Sequence, residues 1–327
     1  MPAKVRWGIL GTGAIASKMA QALHQVEGAE PAAVGSRSQA SADAFGDKFG
    51  VPRRHASYEA LAADPDVDVV YIATPHPMHM DNSMLCLGAG KAVLCEKPFT
   101  VNAGQAREVI ELARSKGLFL MEAMWSRFVP SVVKLRQLLA GGAIGEVRMV
   151  QADFGFRARL DPTGRLFDPA LAGGGLLDVG VYCISLASMI LGPPVRVTGL
   201  AHIGETGVDE QAGAVLLGQG GKIAVLSCGV RTNTPHEAVV MGTDGMIRLH
   251  SRWWSGAKLT LCPAGEPAEE IDPPIAENGF VYEVQEVHRC LTAGRTESDV
   301  MPLDETVGVL ATMDALRAQW GLRYPME

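Results

Sequence analysis

Val5-Arg6-Trp7-Gly8-Ile9-Leu10 runs directly into Gly11-Thr12-Gly13-Ala14-Ile15-Ala16, and the reading of this stretch decides the fold. A short run rich in Val, Ile and Leu, met immediately by glycine, reads as a buried strand. The GxGxxA pattern after it then serves three needs of a dinucleotide turn. Gly11 allows the tight turn, Gly13 lets the backbone approach a pyrophosphate, and Ala16 is small enough for the following helix to pack on the strand. Thr12, Ala14 and Ile15 complete the turn, and the helix start offers unpaired N–H groups and a positive dipole end to phosphates.

Outward from this point, the same alternation continues to about residue 123. Glu30–Ser36, Val67–Ala73, Lys91–Glu96 and Gly117–Ala123 read as further strands, with helix-length stretches between them such as 14–26, 39–49 and 101–116. In the last of these, Val101, Ala106, Val109, Ile110 and Ala113 form an apolar stripe at helical spacing. Strand–helix alternation predicts right-handed βαβ units in a doubly wound parallel sheet. From residue 124 the pattern changes. A helix near 129–139 precedes strand-like runs at Val147–Phe156, Val195–Ile203, Ala212–Gly218, Lys222–Val230, Glu237–Gly242 and Met246–His250. Gln219-Gly220-Gly221 and Gly242-Thr243-Asp244-Gly245 read as hairpin turns, which join antiparallel strands. A long helix near 175–191 interrupts the strands, and two more, near 281–291 and 303–320, follow them. The expectation is an α/β chain of two parts: residues 1–123, a dinucleotide-binding domain, and residues 124–327, an α+β domain with a large, mostly antiparallel open sheet.

Length and composition agree with two globular domains: 327 residues, 47% hydrophobic and 20% charged. The net charge of −7 disfavours a nucleic-acid or anionic-membrane partner, either of which needs a basic face. The opening MPAKVRWGIL lacks the charged region, apolar core and cleavage site of a signal peptide. Six cysteines are widely scattered with no CxxC pair, so reduced thiols in a cytoplasmic protein are expected and a structural zinc is not.

Three further segments carry chemistry. The second strand ends in Gly35-Ser36-Arg37-Ser38, with no carboxylate to accept from a ribose 2′-OH. Arg37 can pair a 2′-phosphate, and Ser36 and Ser38 can donate to it, so NADP(H) is the expected cofactor. The competing reading is a solvated Arg37 and an NAD site with other contacts. Cys95-Glu96-Lys97-Pro98 ends another strand at the carboxyl edge of the sheet, where such folds bind ligands; Lys97 there is a solvated edge charge or a group facing substrate. Gly173-Gly174-Gly175-Leu176-Leu177-Asp178-Val179-Gly180-Val181-Tyr182-Cys183 places Asp178 and Tyr182 at i and i+4, on one helix face. That pair reads either as a buried tyrosine satisfied by a carboxylate or as part of a reactive site.

GxGxxA, then Glu-Lys-Pro, then a glycine-rich helix with an Asp, resembles the glucose–fructose oxidoreductase/inositol dehydrogenase/MocA (Gfo/Idh/MocA) family over essentially the whole chain. Most of that family carries His four residues after the Asp, where this chain has Tyr182. That departure, with Met121–Phe128 (MEAMWSRF) and Glu205-Thr206-Gly207-Val208-Asp209, is similar to one branch, the dimeric dihydrodiol dehydrogenases or NADP-dependent D-xylose 1-dehydrogenases. The resemblance implies Lys97 in contact with nicotinamide and substrate hydroxyl, Tyr182 as acid/base, and Asp178 orienting Tyr182 or the substrate. It implies that Glu96 and Pro98 shape the cofactor pocket, and that Ala73, Thr74, Pro75 and His76, with His79 one turn on, line the dinucleotide. It places Trp125, Phe154, Trp254 and Phe280 around the substrate, although each, like Trp253, also reads as ordinary core. Arg127 would reach a substrate oxygen or serve as a structural arginine. It also implies a homodimer formed through the open sheet. His76 and His79 lack a third ligand, so no metal is expected.

The chemistry stands beside the resemblance. Oxidising a secondary alcohol removes a hydride from carbon and a proton from oxygen; a nicotinamide takes the first and the protein must take the second. A tyrosine of ordinary pKa, about 10, is a poor base at neutral pH, and an adjacent ammonium favours its phenolate. Tyr182 as base with Lys97 as electrostatic partner is one assignment; Lys97 itself as base is the other. The expected activity is an NADP-dependent dehydrogenase acting on CH–OH groups of a cyclic polyol, such as an aldopyranose like D-xylose or a trans-dihydrodiol. The alternatives are a keto-sugar reductase running the same chemistry backwards, and a non-catalytic NADP(H)-sensing protein, which would have no use for Lys97, Asp178 and Tyr182 together.

Overall fold

A computed structural model of the chain describes residues 4–256 and 258–327. These pack as two compact units. The first comprises the stretch up to Thr100, Gly104–Trp125 and Ala276–Thr306. Its sheet is built from β1 (Val5–Leu10), β2 (Ala29–Gly35), β3 (Arg53–His55), β4 (Val69–Ile72), β5 (Ala92–Glu96) and β6 (Leu120–Ala123), all parallel, in the order β3-β2-β1-β4-β5-β6. Every residue of β4, β5 and β6 is buried, as a parallel sheet covered on both faces requires. Helices Ala14–Leu23, Gln39–Phe49, His79–Gly88 and Ala103–Lys116 are the main crossovers. The order reverses between β1 and β4, and at such a switch point the strand ends part to leave a ligand crevice.

The doubly wound sheet is therefore as expected, with strand ends shifted by a few residues. β3 was not expected: Arg53-Arg54-His55 has no apolar run to announce it. It is fixed instead by pairing with β2 and by Arg53 and His55, which both bond the carboxylate of Asp64, at 2.7 and 2.8 Å. By packing, the chain divides differently from a single cut at 123/124. Helix Val281–Thr292 returns to the first unit, burying Val284 and Val287, with Trp7 donating to His288 at 3.1 Å. Leu120 N donates to Thr296 O at 3.1 Å, extending the same attachment.

The second unit comprises Val101–Ala103, Ser126–Ile275 and Val307–Glu327. Its strands are β7 (Val147–Gly155), β8 (Arg196–Ile203), β9 (Asp209–Leu217), β10 (Ile223–Gly229), β11 (Ala238–Gly242), β12 (Gly245–Leu249), β13 (Leu259–Pro263) and β14 (Glu269–Ile271). They lie in the order β14-β13-β12-β11-β7-β10-β9-β8, and every pair is antiparallel except β7 with β10. The sheet is thus mostly antiparallel, and both expected hairpins close as read: β9–β10 through Gln219–Gly221, and β11–β12 through Gly242–Gly245. β13 and β14 were not anticipated; both are short and end the sheet, where Thr, Pro and Glu blur the alternation. Helix Val181–Leu191 packs on one face, against β7 and β10. The stretch Pro169–Leu191 is long and apolar enough to cross a membrane, but 78% of its most apolar window is buried inside the molecule, as in a core helix. The opposite face is open, with Leu200 84% exposed and Val215, Val225 and Met246 also exposed.

Candidate active site

In the first unit, the expected cofactor residues gather at the carboxyl ends of β1, β2, β4 and β5. Gly11 has φ +109°, a region that costs glycine little, and a Cβ there would stand 2.9 Å from the carbonyl oxygen of Ala73. The turn after β1 therefore passes close to the turn after β4. Gly13 precedes helix Ala14–Leu23, which has no side-chain cap, and a Cβ at Gly13 would meet nothing within 4 Å. The backbone is bare and its first N–H groups face an open approach, which fits a dinucleotide phosphate.

Of the three residues expected at a 2′-phosphate, Ser36 is buried and donates its N–H to His55 O at 3.0 Å. Ser38 caps helix Gln39–Phe49: its Oγ accepts from Ser41 N at 3.3 Å and donates to Ser41 Oγ at 2.9 Å. Arg37 is exposed. The cationic member of the trio is thus presented outward, while one serine is committed to ending the loop.

Ala73 and Thr74 are buried after β4, and Thr74 Oγ1 accepts from Asn82 at 3.0 Å. His76 meets His79 edge-on. His79 is fully buried, with Nδ1 2.8 Å from Pro98 O and Nε2 2.8 Å from Thr74 O, so it ties the turn after β4 to the turn after β5. Only an imidazolium could donate to both carbonyls. Burial, aided by the charge of Lys97, nevertheless holds its pKa below the ordinary value despite the two carbonyls.

Glu96 is buried beside Lys97. The Tyr71 hydroxyl donates to it in a short hydrogen bond, and Lys97 N donates to its Oε2 at 3.1 Å. Burial raises the Glu96 pKa, with the Lys97 charge opposing. Sequence reasoning did not single out Glu283, on helix Val281–Thr292. It is fully buried and neither carboxyl oxygen has a hydrogen-bond partner among the described residues. Burial, and then the charge of Glu96, push its pKa well above the ordinary value. Its signal was its place in the buried stripe of Val284 and Val287, where a charged residue needs a reason. Trp125 and Phe280 stack, centroids 5.3 Å apart and planes at 14°.

In the second unit, the expected long helix begins as a π-helical turn, Leu176–Gly180, before the α-helix Val181–Leu191. Such insertions recur at functional sites, and this one carries Asp178 and leads into Tyr182. Asp209 holds its start: Oδ2 accepts from Leu176 N at 2.6 Å. Gly174, at φ +115°, leaves no room for a side chain, since a Cβ would stand 2.2 Å from Asp209 Oδ1. Asp209 is fully buried, and burial pushes its pKa up to about 7 against the backbone hydrogen bonds it accepts. The Glu205–Asp209 segment was read only as a family mark; its last residue anchors the turn that carries Asp178 and leads into Tyr182.

Asp178 is buried and accepts from Arg165 at 2.7 Å. Tyr182 is 6% exposed, its ring tilted against Phe154 at 5.4 Å. Phe154 stacks on Trp254 at 3.4 Å and 9°, and His236 meets both edge-on at 5.6 and 4.8 Å. His236, missed from sequence, sits in the left-handed region at φ +63° and bonds Gly155 O through its ring. Trp253 takes the core role, donating to Asp153 O at 2.9 Å. Arg127 is buried and bonds the Oγ and O of Ser185 at 2.9 and 2.8 Å, bracing the helix that carries Tyr182. The expected aromatic residues stack as two separate pairs, Trp125 with Phe280 in the first unit and Phe154 with Trp254 in the second. Among the described residues no three His, Cys, Asp or Glu side chains come together as a metal site.

Residues 5–124 match the model of an oxidoreductase family with an NAD-binding Rossmann fold, and residues 132–248 match the Gfo/Idh/MocA C-terminal domain. The chain belongs to the Gfo/Idh/MocA oxidoreductase family. Within that family it is 40% identical to the mouse (Mus musculus) trans-1,2-dihydrobenzene-1,2-diol dehydrogenase, covering 99% of each chain. A 3-ketoreductase from Actinomadura kijaniata, solved in complex with NADP and TDP-benzene, superposes with a TM-score of 0.86 at 26% identity, over 96% of this chain and 97% of that one. An aldose-aldose oxidoreductase from Caulobacter crescentus, complexed with glycerol, gives a TM-score of 0.87 at 27% identity, over 95% and 96%. Gfo/Idh/MocA membership and resemblance to the dihydrodiol dehydrogenase branch, both expected from the motifs, are thus met by whole-length matches.

Proposed function

We propose that this oxidoreductase is an NADP-dependent dehydrogenase of cyclic polyols, an aldopyranose such as D-xylose or a trans-1,2-dihydrodiol. The observation that carries the reading is Tyr182: a buried phenol on a π-to-α junction, backed by the Phe154–Trp254 wall. Bound NADP+ supplies the hydride acceptor. Gly11, Thr12, Gly13, Ala14 and Ile15 would cradle its pyrophosphate, Arg37 beside Ser36 would meet the 2′-phosphate while Ser38 holds the end of that loop as a helix cap, and Ala73, Thr74, Pro75 and His76 would line its length. His79 acts on that lining as a strut, because its buried ring lies 2.8 Å from the carbonyls of both Thr74 and Pro98.

Tyr182 takes the hydroxyl proton of the substrate, and Lys97 favours the phenolate and the developing alkoxide charge. Asp178, tied to Arg165, orients the phenol or the substrate, and Glu96 and Pro98 shape the pocket around Lys97. Trp125, Phe280, Phe154 and Trp254 offer flat apolar surface to a sugar ring or a cyclohexadiene. Arg127, bonded to Ser185, serves by bracing the helix. The 3-ketoreductase likeness supports the reverse reading, in which Tyr182 gives its proton to a keto sugar and NADPH is the reductant.

The open face of the eight-stranded sheet, with Leu200, Val215, Val225 and Met246 exposed, supports a homodimer through that sheet. Six free cysteines, most of them buried, support a cytoplasmic setting.

The test is NADPH formation at 340 nm over pentoses, hexoses and trans-dihydrodiols. Substrate-dependent reduction, lost in Lys97→Met and reduced about 100-fold or more in Tyr182→Phe at unchanged NADP+ affinity, bears the assignment out. Near-normal turnover in Tyr182→Phe removes that residue from the role, and tight NADP+ binding with no turnover of any polyol would leave a sensor.

A further inference from the structure

His236 stands in a row of the eight-stranded sheet that also carries Phe154. β11 pairs antiparallel with β7 in a register that sets Ala238 opposite Ala152, and Asp153 N donates to Glu237 O at 3.1 Å. Two residues further on, the same register sets His236 opposite Phe154, and residues directly opposite share a face. Their rings meet edge-on at 5.6 Å. On the other side, β10 pairs with β7 so that Cys228 lies beside Phe154. A Cβ at Gly180 would stand 2.9 Å from Cys228 Sγ, and Tyr182 is tilted against Phe154 at 5.4 Å. His236, Phe154 and Cys228 therefore belong to the face under the π-helical turn and the helix that carries Tyr182. The exposed Val215 and Val225 lie on the opposite face, since strand side chains alternate.

The backbone of His236 is held where a residue with a Cβ seldom goes, at φ +63°. Asp153 fastens it: Oδ1 accepts from His236 N at 2.7 Å and Oδ2 from Glu237 N at 3.1 Å, while His236 O accepts from Trp253 N at 3.3 Å. Residues kept in such sparsely populated regions cluster at ligand-contacting positions. Here the result is a ring set edge-on to both Phe154 and Trp254. Its Nε2 bonds Gly155 O, and a carbonyl only accepts, so the proton of the neutral imidazole sits on Nε2. Nδ1 is then left as a lone-pair acceptor. It has no partner among the described residues and is not closed off from solvent, in a residue that is half-buried.

We infer that His236 is a specificity-determining residue of this site: its Nδ1 accepts a hydrogen bond from a second hydroxyl of the polyol while Tyr182 serves the hydroxyl that is oxidised. Aromatic surface alone holds a ring with one hydroxyl as well as a ring with several, because apolar contact is non-directional. A fixed acceptor beside that surface rejects the analogue that lacks the hydroxyl, since binding it strips the acceptor of water and leaves it unpaired. Tyr182 and His236 both border Phe154, at 5.4 and 5.6 Å between ring centroids, so a six-membered ring against the Phe154–Trp254 pair has both within reach. This inference rests on the dehydrogenase reading and names what that same site selects.

With NADP+ as oxidant, turnover of D-xylose is compared with that of its 2-, 3- and 4-deoxy counterparts, and trans-cyclohexane-1,2-diol with cyclohexanol. Each pair is measured on the full-length protein and on His236→Phe, which keeps an aromatic ring and removes both nitrogens. The expected result is that loss of at least one hydroxyl lowers kcat/KM about tenfold or more in the unaltered protein. In His236→Phe that ratio falls to within about threefold, while the compound lacking the hydroxyl is turned over about as before. Retained turnover of that compound shows the aromatic pair and Tyr182 intact, which a merely structural role for His236 would not allow. Should His236→Phe not fold, His236→Asn, which tolerates the left-handed backbone and is shorter than the imidazole, is read by the same ratio. A ratio that the variant leaves unchanged, or an equal loss on both members of each pair, overturns the inference and leaves the dehydrogenase standing. If no compound is oxidised, the dehydrogenase reading falls, and calorimetric binding of the same compounds to the NADP+-saturated protein decides the inference. Binding that depends on both the hydroxyl and His236 sustains it, and binding indifferent to either, or none, overturns it.

Discussion

Asp209→Asn tests the idea that the turn presenting Asp178 and Tyr182 is held by a buried acid. Asp209 is fully buried and accepts from Leu176 N at 2.6 Å, and its pKa rises from 3.8 to about 7 because burial disfavours the charge. The sign follows from proton linkage. Between those two values the folded protein keeps a proton that the unfolded chain releases, so the group's contribution to stability falls as pH rises and levels off above about 7. At about 1.4 kcal/mol per pH unit, the full loss is roughly 4 kcal/mol, of which about 2–3 kcal/mol falls between pH 5 and pH 8. Asparagine keeps an acceptor for Leu176 N and cannot ionise. Its melting temperature, measured by calorimetry against the unaltered protein at each pH, should gain roughly 5–10 °C relative to the parent across that interval. A difference between the two proteins that stays flat with pH would refute a buried acid titrating near neutrality.

Arg37→Ala should raise the Michaelis constant for NADP+ on the order of tenfold or more while leaving that for NAD+ nearly unchanged; equal effects on both would show that Arg37 does not meet a 2′-phosphate. Glu283→Leu should stabilise the protein by about 1–3 kcal/mol at pH 8, read as a higher melting temperature, because both carboxyl oxygens are buried without partners among the described residues and Glu96 adds repulsion. A lower melting temperature would mean that Glu283 supports the strand ends through a group it binds. Leu200→Glu with Val225→Glu on the open sheet face should convert a dimer to monomers in sedimentation at micromolar concentration, and an unchanged sedimentation coefficient would remove that face from the interface.

Much of the fold was legible because its causes are local. The strand Val5–Leu10, the glycine turn after it and the hairpin glycines at 220, 221 and 245 are set by side-chain volume and backbone freedom within a few residues. The helices 39–49 and 303–320 matched the observed limits, the first with a serine cap and a left-handed glycine to mark its ends. β3, β13 and β14 were not legible, since they owe their existence to neighbours in the sheet and, for β3, to Asp64. His236 was out of reach, since it stands out only because its ring lands against Phe154 and Trp254; Glu283 left a trace in the stripe of Val284 and Val287, but its lack of a partner among the described residues shows only in the fold.

The order of residues along the chain was enough to read a doubly wound sheet, the glycine turn after its first strand and the helix that carries Asp178 and Tyr182, because periodicity and glycine placement act over one or two turns of chain. Packing alone decided that Asp209 would anchor Leu176 from 33 residues away and that the His79 ring would sit between the carbonyls of Thr74 and Pro98. Desolvation and charge–charge proximity depend on which groups meet in space, and sequence separation carries no measure of that.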